Sequence, residues 1–573
     1  MDGAAVGAFA IERFRLYGVA GVIEAAAWLV LLVGAAVVAR SFRPPPPEVR
    51  RRALALATVA LAARLVVPHV PFNWWYGVSN LPWARGVFSK DTSWEPLVHR
   101  LIAFDLGLGF RGLVAFGIAA NVGAILLLWS TARRAGYGER VAWVFVFLLA
   151  LVPAYVRLSA SDAIHLVPFV LWAVAAAAFV AVRDGRGGVA MHLVLGASTL
   201  LAGLFRAETM LLLPSIPFFV GKDPAGWRAL WVARRRFLAF GLGLLVAVPL
   251  MWAHHLASFS LYFHEATSFD GSPALAVSLA VGRVLFGVFF RCLLPTNFLF
   301  GSYVPAILQL PIWYSTWKLA RARAWPALAA LYVPQAIFSI PAVVAGKESV
   351  GFLPESAYHL VYLVFVLVAC AQGVVALEAP VRAWLATWPR RLGAALVAVA
   401  VVWMDLVVPW FGTYAYEEEF TFLERWLPRD EATIVAIWDP RNSGGDFDAC
   451  LALPYPPMLP DRPRLRWRIV GGDDLRGDRW KDLRFDYYYP GCLTQISLSP
   501  RPAPAFVSRF VDASRRADGD ARLAELQRLD TAIRAHFELT PIASEEVPAE
   551  SFSDYGFAAD RMRLTLYRRA NAP

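Results

Sequence analysis

Outside the connections dense in Lys and Arg, side chains able to exchange protons or hold anions are sparse in residues 1–411 of this 573-residue chain. They fall in five polar stretches between long apolar runs. The first, PHVPFNWWYGVSNLPWARGVFSKDTSWEPLVHRLIAFDLGLGF, carries Lys90, Asp91 and Glu95 and ends in the amphipathic segment EPLVHRLIAF. The second, SASDAIHL, sets Asp162 and His165 one helical turn apart. The third, LFRAETMLLLP, holds Arg206 and Glu208 at a tight hairpin tip; residues 257–282 hold His264, Glu265 and Asp270; SVGFLPESAYHLVY holds Glu355 and His359. A carboxylate or imidazole can take a proton from an attacking group, and a guanidinium can hold two anionic oxygens at once. Loops are wet, however, and Lys90 with Asp91 reads equally well as a solvated pair. Arg206 and Glu208 resist that reading. Their hairpin is too short to need them, its arms at 191–204 and 210–220 are short for full spans, and uncompensated charge near lipid is costly. His264–Glu265 is not a helical zinc pair, because position 268, one turn on, is Ser.

The elements that must position these groups follow from composition. Apolar residues make up 58% of the chain and charged residues 17%, against about 45–50% and about 25% in soluble domains. The excess lies in residues 17–411, a series of runs of which most reach the ~20 residues that span a bilayer. After Tyr414 charge becomes dense and no run is long enough to span. The expected architecture is a polytopic α-helical membrane bundle of about twelve transmembrane helices over residues 1–411, followed by a soluble α/β domain over 412–573. The N-terminus lacks a basic stretch directly before an apolar run and a small-residue cleavage site, so the first apolar run, 17–39, is expected to be a permanent helix. Glu24, expected within two turns of the start of that helix, is expected to reach water.

Orientation follows from Lys and Arg, which are retained on the cytoplasmic side. SFRPPPPEVRRR, RRAGYGER, GKDPAGWRALWVARRRF, KLARARAW and EAPVRAWLATWPRRL are rich in them, and RDGRGG is a weaker sixth. They alternate with poorer loops at 70–111, 158–162, 205–208, 257–301 and 346–357. The alternation closes with an even number of spans, with residues 284–300 read as interfacial or re-entrant. The N-terminus and the C-terminal domain then lie outside a bacterial-type cytoplasmic (inner) membrane. The formal charge of +11 is mostly this loop bias, and no basic stripe interleaved with aromatics points to nucleic acid. Cys450 and Cys492 in the outer domain read equally as a disulfide and as two free thiols.

In the C-terminal part, EEFTFLERWL reads as a helix with Phe420, Leu423, Trp426 and Leu427 on one face, ending at Pro428. ATIVAIWD reads as a buried strand, RLRWRIVGG as a half-exposed one, and DYYYPGCLTQISL and MRLTLYRR as further strands. DARLAELQRLDTAIRAHF reads as an amphipathic helix. No Gly-rich phosphate loop, Ser-His-Asp set or metal-ligand spacing occurs there, and Asp446 and Asp448 read as loop residues.

The layout resembles the GT-C superfamily of polyprenyl-phosphate-dependent glycosyltransferases, near the protein mannosyltransferase and aminoarabinose transferase group. Four features carry the resemblance. The long first outside loop ends in SWEPLVHRLIAF, where the family often has a Pro-Pro-Leu-Tyr type segment. ALVPAYVRLSASDAIHLVPFVLW places a Pro and then Ser and an acidic residue in a later helix pair. LLAGLFRAETMLLLPSIPF has a basic hairpin tip, commonly Lys in the family. YEEEFTFLERWLPRDEATIV opens the outer domain with an acidic-aromatic helix. This sequence departs from the family in having no Asp or Glu in PHVPFNWWYGVSN, where the family places its base.

The resemblance implies an inverting transfer of a sugar from a polyprenyl-phosphate donor to a glycan, lipid or protein acceptor at the outer face. It implies Asp91 as first choice for the base and Glu95 as second. Arg206 would stabilise the departing phosphate, and Asp162, His165 and His359 would position sugar or phosphate, with Glu208 beside Arg206. No cofactor is required by the sequence, and a divalent metal is left open. The rival readings are a polytopic transporter or lipid flippase, and a non-catalytic assembly protein that keeps the fold. Transporters carry internal repeats and midplane polar groups, and neither is evident here. The orientation has a direct check. A phosphatase reporter fused after Ala570 is expected to be active and a cytoplasmic reporter there silent; the opposite pair of results inverts the topology.

Overall fold

The computed structural model describes residues 3–40, 46–69, 98, 101–102, 106–161, 166–205, 209, 212–263, 306–333, 360–403, 410, 415–437, 465–470, 479–490, 501–502, 513–552 and 557–570. The N-terminal part is helical: α1 (Gly3–Arg40), α2 (Pro47–Val66), α3 (Gly109–Arg134), α4 (Glu139–Leu151), α5 (Pro153–Ser159), α6 (Leu166–Arg183), α7 (Gly188–Phe205), α8 (Ser215–Val220), α9 (Pro224–Val232), α10 (Leu238–Phe263), α11 (Ala306–Arg321), α12 (Leu360–Trp384) and α13 (Trp388–Val402). Among the described residues, five helices are long and apolar enough to cross a membrane: Val19–Arg40, Gly109–Arg134, Leu166–Arg183, Gly188–Phe205 and Leu363–Trp384. The 18-residue α7 is one of these, which corrects the expectation that the first arm before Arg206 is short. The segment expected to be interfacial at 284–300 lies outside the described residues. Leu29, Leu32 and Val33 on α1 and Leu392, Leu396 and Val399 on α13 are exposed, apolar surface of the kind that acyl chains cover.

The basic loops meet at one end of the bundle. Glu139 accepts from Arg52 at 3.1 Å and pairs with Arg133 at 2.5 Å. Arg140 reaches Glu378 at 3.1 Å. Arg183 donates to the Arg134 carbonyl at 2.7 Å, and Arg236 to the Arg183 carbonyl at 3.0 Å. Chain segments near residues 50, 135, 184, 236 and 380 are thereby tied together. The rule that sorts Lys and Arg to one side in sequence thus has a spatial counterpart. These pairs are exposed and each contributes little to stability; their value here is as markers of one end.

Near the other end, α2 buries a guanidinium. Arg64 is 0% exposed. It donates to the Ala60 carbonyl at 2.8 Å, the Ala150 carbonyl at 3.0 Å and Asn121 Oδ1 at 2.5 Å, stapling α2, α3 and α4. The Ala150 carbonyl is available because α4 stops at Leu151. Pro153 offers no N–H, and Val152, the residue before it, is extended with ψ 125°. No carboxylate among the described residues pairs with Arg64, so its charge is held by hydrogen bonds alone.

The C-terminal part is a six-stranded sheet flanked by helices α14 (Ala415–Trp426) and α15 (Ala513–His536). Strand β1 (Ala432–Ile437) lies parallel to β2 (Leu465–Val470) and to β3 (Tyr487–Tyr489); β6 (Phe557–Arg569) runs antiparallel to β3, to β4 (Arg501–Pro502) and to the long β5 (Leu539–Phe552). β1 is buried almost throughout, and β2 alternates between buried Leu465 and Val470 and exposed Arg466 and Arg468, as their apolar patterns require. Tyr488 and Tyr489 are fully buried at the centre. The Tyr488 hydroxyl donates to Asp530 Oδ1 at 2.7 Å, Asp530 also pairs with Arg534, and burial with this carboxylate raises the Tyr488 phenol well above its ordinary range. Helix α14 buries Phe422 and Leu423, and Leu427 just past its end is buried as well. Trp426, expected on the same face, is instead exposed, with its indole N–H on Glu545 at 2.6 Å beside the Arg425–Glu545 pair.

The Arg64 staple is testable by unfolding the full chain. Asn121→Ala removes one acceptor from a buried cation and is expected to lower stability by about 1–3 kcal/mol. Arg64→Met together with Asn121→Leu, which removes the charge as well, is expected to recover most of that loss. Independent, additive effects of the two positions would contradict the coupling.

Candidate functional site

The end of the bundle away from the arginine-rich loops is built around the break between α4 and α5. Ala63 of α2 and Val67 just past its end pack on Val156 and Ala160, with Leu151 and Trp410 against them. Arg157, buried on α5, donates to the Trp410 carbonyl at 3.0 Å, and the Trp410 indole donates to the Leu151 carbonyl at 3.0 Å. This reciprocal clamp ties the chain entering the C-terminal sheet to the α4–α5 corner. The corner continues into Ser159 and Ser161, whose hydroxyls turn back to the Tyr155 and Leu158 carbonyls at 2.5 and 2.8 Å. His69, just past α2, has Nε2 2.8 Å from the Arg64 carbonyl.

Helix α3 sets the position of this corner through Gly117. A Cβ there would stand 2.9 Å from the Ser159 carbonyl oxygen and 3.4 Å from both the Ser161 carbonyl oxygen and Leu166 Cδ2. Only a glycine lets α3 lie this close to the backbone at 159–161 and to the start of α6.

A buried carboxylate completes the set. Glu24 is 0% exposed, which corrects the expectation that it reaches water. Its helix begins at Gly3, so Glu24 lies about 30 Å along it at 1.5 Å per residue, not in its first turns. Helices α1 and α7 run antiparallel. Gly34 abuts Ala190 and Val194 near the start of α7, and the Trp28 ring lies 6.2 Å from Phe205 at its end. Glu24, one turn beyond Trp28, therefore lies toward the Phe205 end of α7.

All seven residues singled out from the sequence, Asp91, Glu95, Asp162, His165, Arg206, Glu208 and His359, lie outside the described residues, as do His264, Glu265, Asp270, Glu355, Cys450 and Cys492. Ser161 and Leu166 bracket Asp162 and His165, Phe205 and Thr209 bracket Arg206 and Glu208, and Leu360 follows His359; Ser161, Leu166, Phe205 and Thr209 are buried. Arg64, Asn121 and Arg157 were not expected. The available signal was an ionisable residue inside an apolar run, in ALAARLVVP and VPAYVRLSA, since such residues in membrane segments face protein and partners rather than lipid. Buried Arg64 and Arg157, bonded to backbone carbonyls, together with the Ser159 and Ser161 hydroxyls make the α4–α5 corner polar inside an apolar surround.

No family model matches the chain, and no curated protein matches it in sequence. Among solved structures, archaeal oligosaccharyltransferase AglB from Archaeoglobus fulgidus, in complex with an inhibitory peptide and a dolichol-phosphate, is similar with a TM-score of 0.42 and 12% identity, covering 79% of this chain and 70% of that one. The Archaeoglobus fulgidus oligosaccharyltransferase tethered by a disulfide bond to an acceptor peptide containing the NVT sequon gives a TM-score of 0.38 at 12% identity over 73% of this chain and 63% of that one. The apo form gives 0.37 at 12% identity, covering 73% and 64%. Likeness of this degree assigns no activity.

The α3–α5 approach yields a paired test. Gly117→Ala forces the 159–166 corner to move and is expected to cost about 1–3 kcal/mol in unfolding of the full chain. Gly123→Ala on the same helix, where a Cβ meets nothing within 4 Å, is expected to be neutral or stabilising by up to about 1 kcal/mol. Equal effects at the two positions would show that the close approach does not constrain the corner.

Proposed function

We propose that the chain is an integral-membrane glycosyltransferase. It moves a hexosyl or pentosyl group from a polyprenyl-phosphate donor to an acceptor, with inversion, at the membrane face opposite the arginine-rich loops. In the orientation expected from Lys and Arg this is the outer face of a bacterial-type inner membrane, with the C-terminal domain extracytoplasmic. The observation that carries the reading is the sorting of charge. Paired, exposed arginines mark one end of the bundle, and buried Arg64 and Arg157 lie toward the other, where Trp410 anchors the approach to the C-terminal sheet. An extramembrane domain over a polar mouth suits an enzyme that must meet a lipid donor and a water-borne acceptor. The family resemblance of the sequence supports the same reading.

In this mechanism the acceptor hydroxyl or amine attacks the anomeric carbon from the face opposite the phosphate. The bond to the phosphate oxygen breaks, and polyprenyl phosphate leaves with the electron pair. Asp91, or Glu95 after it, takes the acceptor proton. Arg206 meets the charge growing on the departing phosphate, and Asp162, His165 and His359 position the donor. Arg206 is neutralised either by Glu208, two residues away in sequence, or by the lipid phosphate of the donor.

The test is a panel of polyprenyl-phosphate sugars offered to membranes containing the full chain. One donor should be consumed with release of polyprenyl phosphate; movement of donor between leaflets without consumption would instead identify a flippase. Asp91→Asn should lower turnover by roughly 10²–10⁴ and leave donor affinity intact, and unchanged turnover would retire Asp91 in favour of Glu95. Arg206→Lys keeps charge without the planar fork and should keep part of the activity, while Arg206→Ala should weaken donor binding in a folded protein. An Arg206→Ala, Glu208→Ala variant that is both stable and fully active would remove Arg206 from the mechanism.

A further inference from the structure

Helix α9 and the turn after it form a small, firmly anchored unit at the arginine-rich end that the glycosyl-transfer reading leaves without a role. Asp223 caps it, accepting from the Gly226 amide at 2.7 Å, and Pro224 occupies the first turn. Lys222 pairs with Asp223 at 2.7 Å and holds its carboxyl below the ordinary range. The inner face is locked down by Trp227, edge-on to Phe218 with centroids 5.3 Å apart, and by Leu230. Both would lie 3.0 Å from a Cβ at Gly221, so the helix closes against a position that only glycine can fill.

The opposite face is exposed. Ala225, Ala229 and Val232 recur at helical spacing along it, Trp231 stands out beside Trp227 at its edge, and Val232 and Trp231 are 81% and 70% exposed. Arg228 on the helix and Arg234 and Arg235 just after it flank this apolar strip and are exposed as well. Arg234 lies over the Trp231 ring at 4.9 Å. No carboxylate among the described residues pairs with Arg228, Arg234 or Arg235. The same association of an aromatic ring with a cation recurs at this end at Trp317 with Arg321 and at Trp384 with Arg390, at 5.4 and 5.9 Å. Indole rings settle at the headgroup level, and a short helix with an apolar face rimmed by arginines lies in the plane of that interface.

We infer that α9 with residues 234–236 is a docking site for anionic phospholipid headgroups of the leaflet at the arginine-rich end, fixing the bundle in the bilayer there. Charge complementarity selects the occupant: three cations without carboxylate partners border a strip that only acyl chains or headgroup carbons would cover. The inference does not depend on the transfer chemistry, which lies at the other end.

The probes are phosphatidylglycerol, phosphatidylcholine and inorganic phosphate, added to the full chain purified in detergent, with bound lipid counted by native mass spectrometry and unfolding followed by heating. Phosphatidylglycerol should bind and stabilise in preference to phosphatidylcholine, with the preference fading at high salt. The combined Arg228→Gln, Arg234→Gln, Arg235→Gln variant should lose roughly 100-fold in phosphatidylglycerol affinity, about fivefold per arginine, and the matching Lys variant should keep most of it. Equal retention of the two lipids by the wild-type chain overturns the inference without any variant. So does stabilisation by inorganic phosphate alone to the same extent, or full phosphatidylglycerol affinity in the Gln variant.

Discussion

A charge inside hydrocarbon must be hydrogen-bonded, paired or carried to an end, and that constraint arranges this bundle. Arg64 shows its strictest form. The guanidinium sits fully buried, and its charge is spread over two backbone carbonyls and the Asn121 amide. One of those carbonyls is free only because the proline break between α4 and α5 ends a helix early. The break therefore does two things at once. It supplies an acceptor for a buried cation, and it turns the chain into the 159–161 corner against which α3 closes at Gly117.

The same constraint separates the two ends chemically. At the arginine-rich end, cations are exposed, paired with acids across loops or laid over tryptophan rings. Toward the other end they are buried and bonded to carbonyls, and Trp410 fastens the path to the C-terminal sheet beside them. An end that displays exposed cations is suited to lying against headgroups.

How much of this was legible in the sequence varies with the element. Loops rich in Lys and Arg are read by counting, and they do meet in space. Strands β1, β2 and β6 announce themselves by apolar runs and alternation. Strand β5 does not, because Pro541 and Pro548 interrupt LTPIASEEVPAESF; it forms beside β6 with register shifts at both prolines, as an outer strand can. Glu24 was misjudged because the start of α1 was placed at the first apolar residue, whereas the helix extends back through polar sequence to Gly3. A single arginine in an apolar run, as at Arg64 and Arg157, gives no hint of which carbonyls a helix break will free. Trp426 was assigned to a buried face by spacing, yet its indole found a better partner in Glu545 at the surface.

The central claim is that transfer chemistry belongs to the end opposite the arginine-rich loops, on the side of the C-terminal sheet. Sealed vesicles of both orientations, sorted by whether added protease reaches residues 415–570, test it most directly when a membrane-incorporated polyprenyl-phosphate sugar is supplied and the acceptor is added outside. Donor consumption is expected only in vesicles whose C-terminal sheet faces the added acceptor. Consumption confined to vesicles that expose the arginine-rich loops would contradict it.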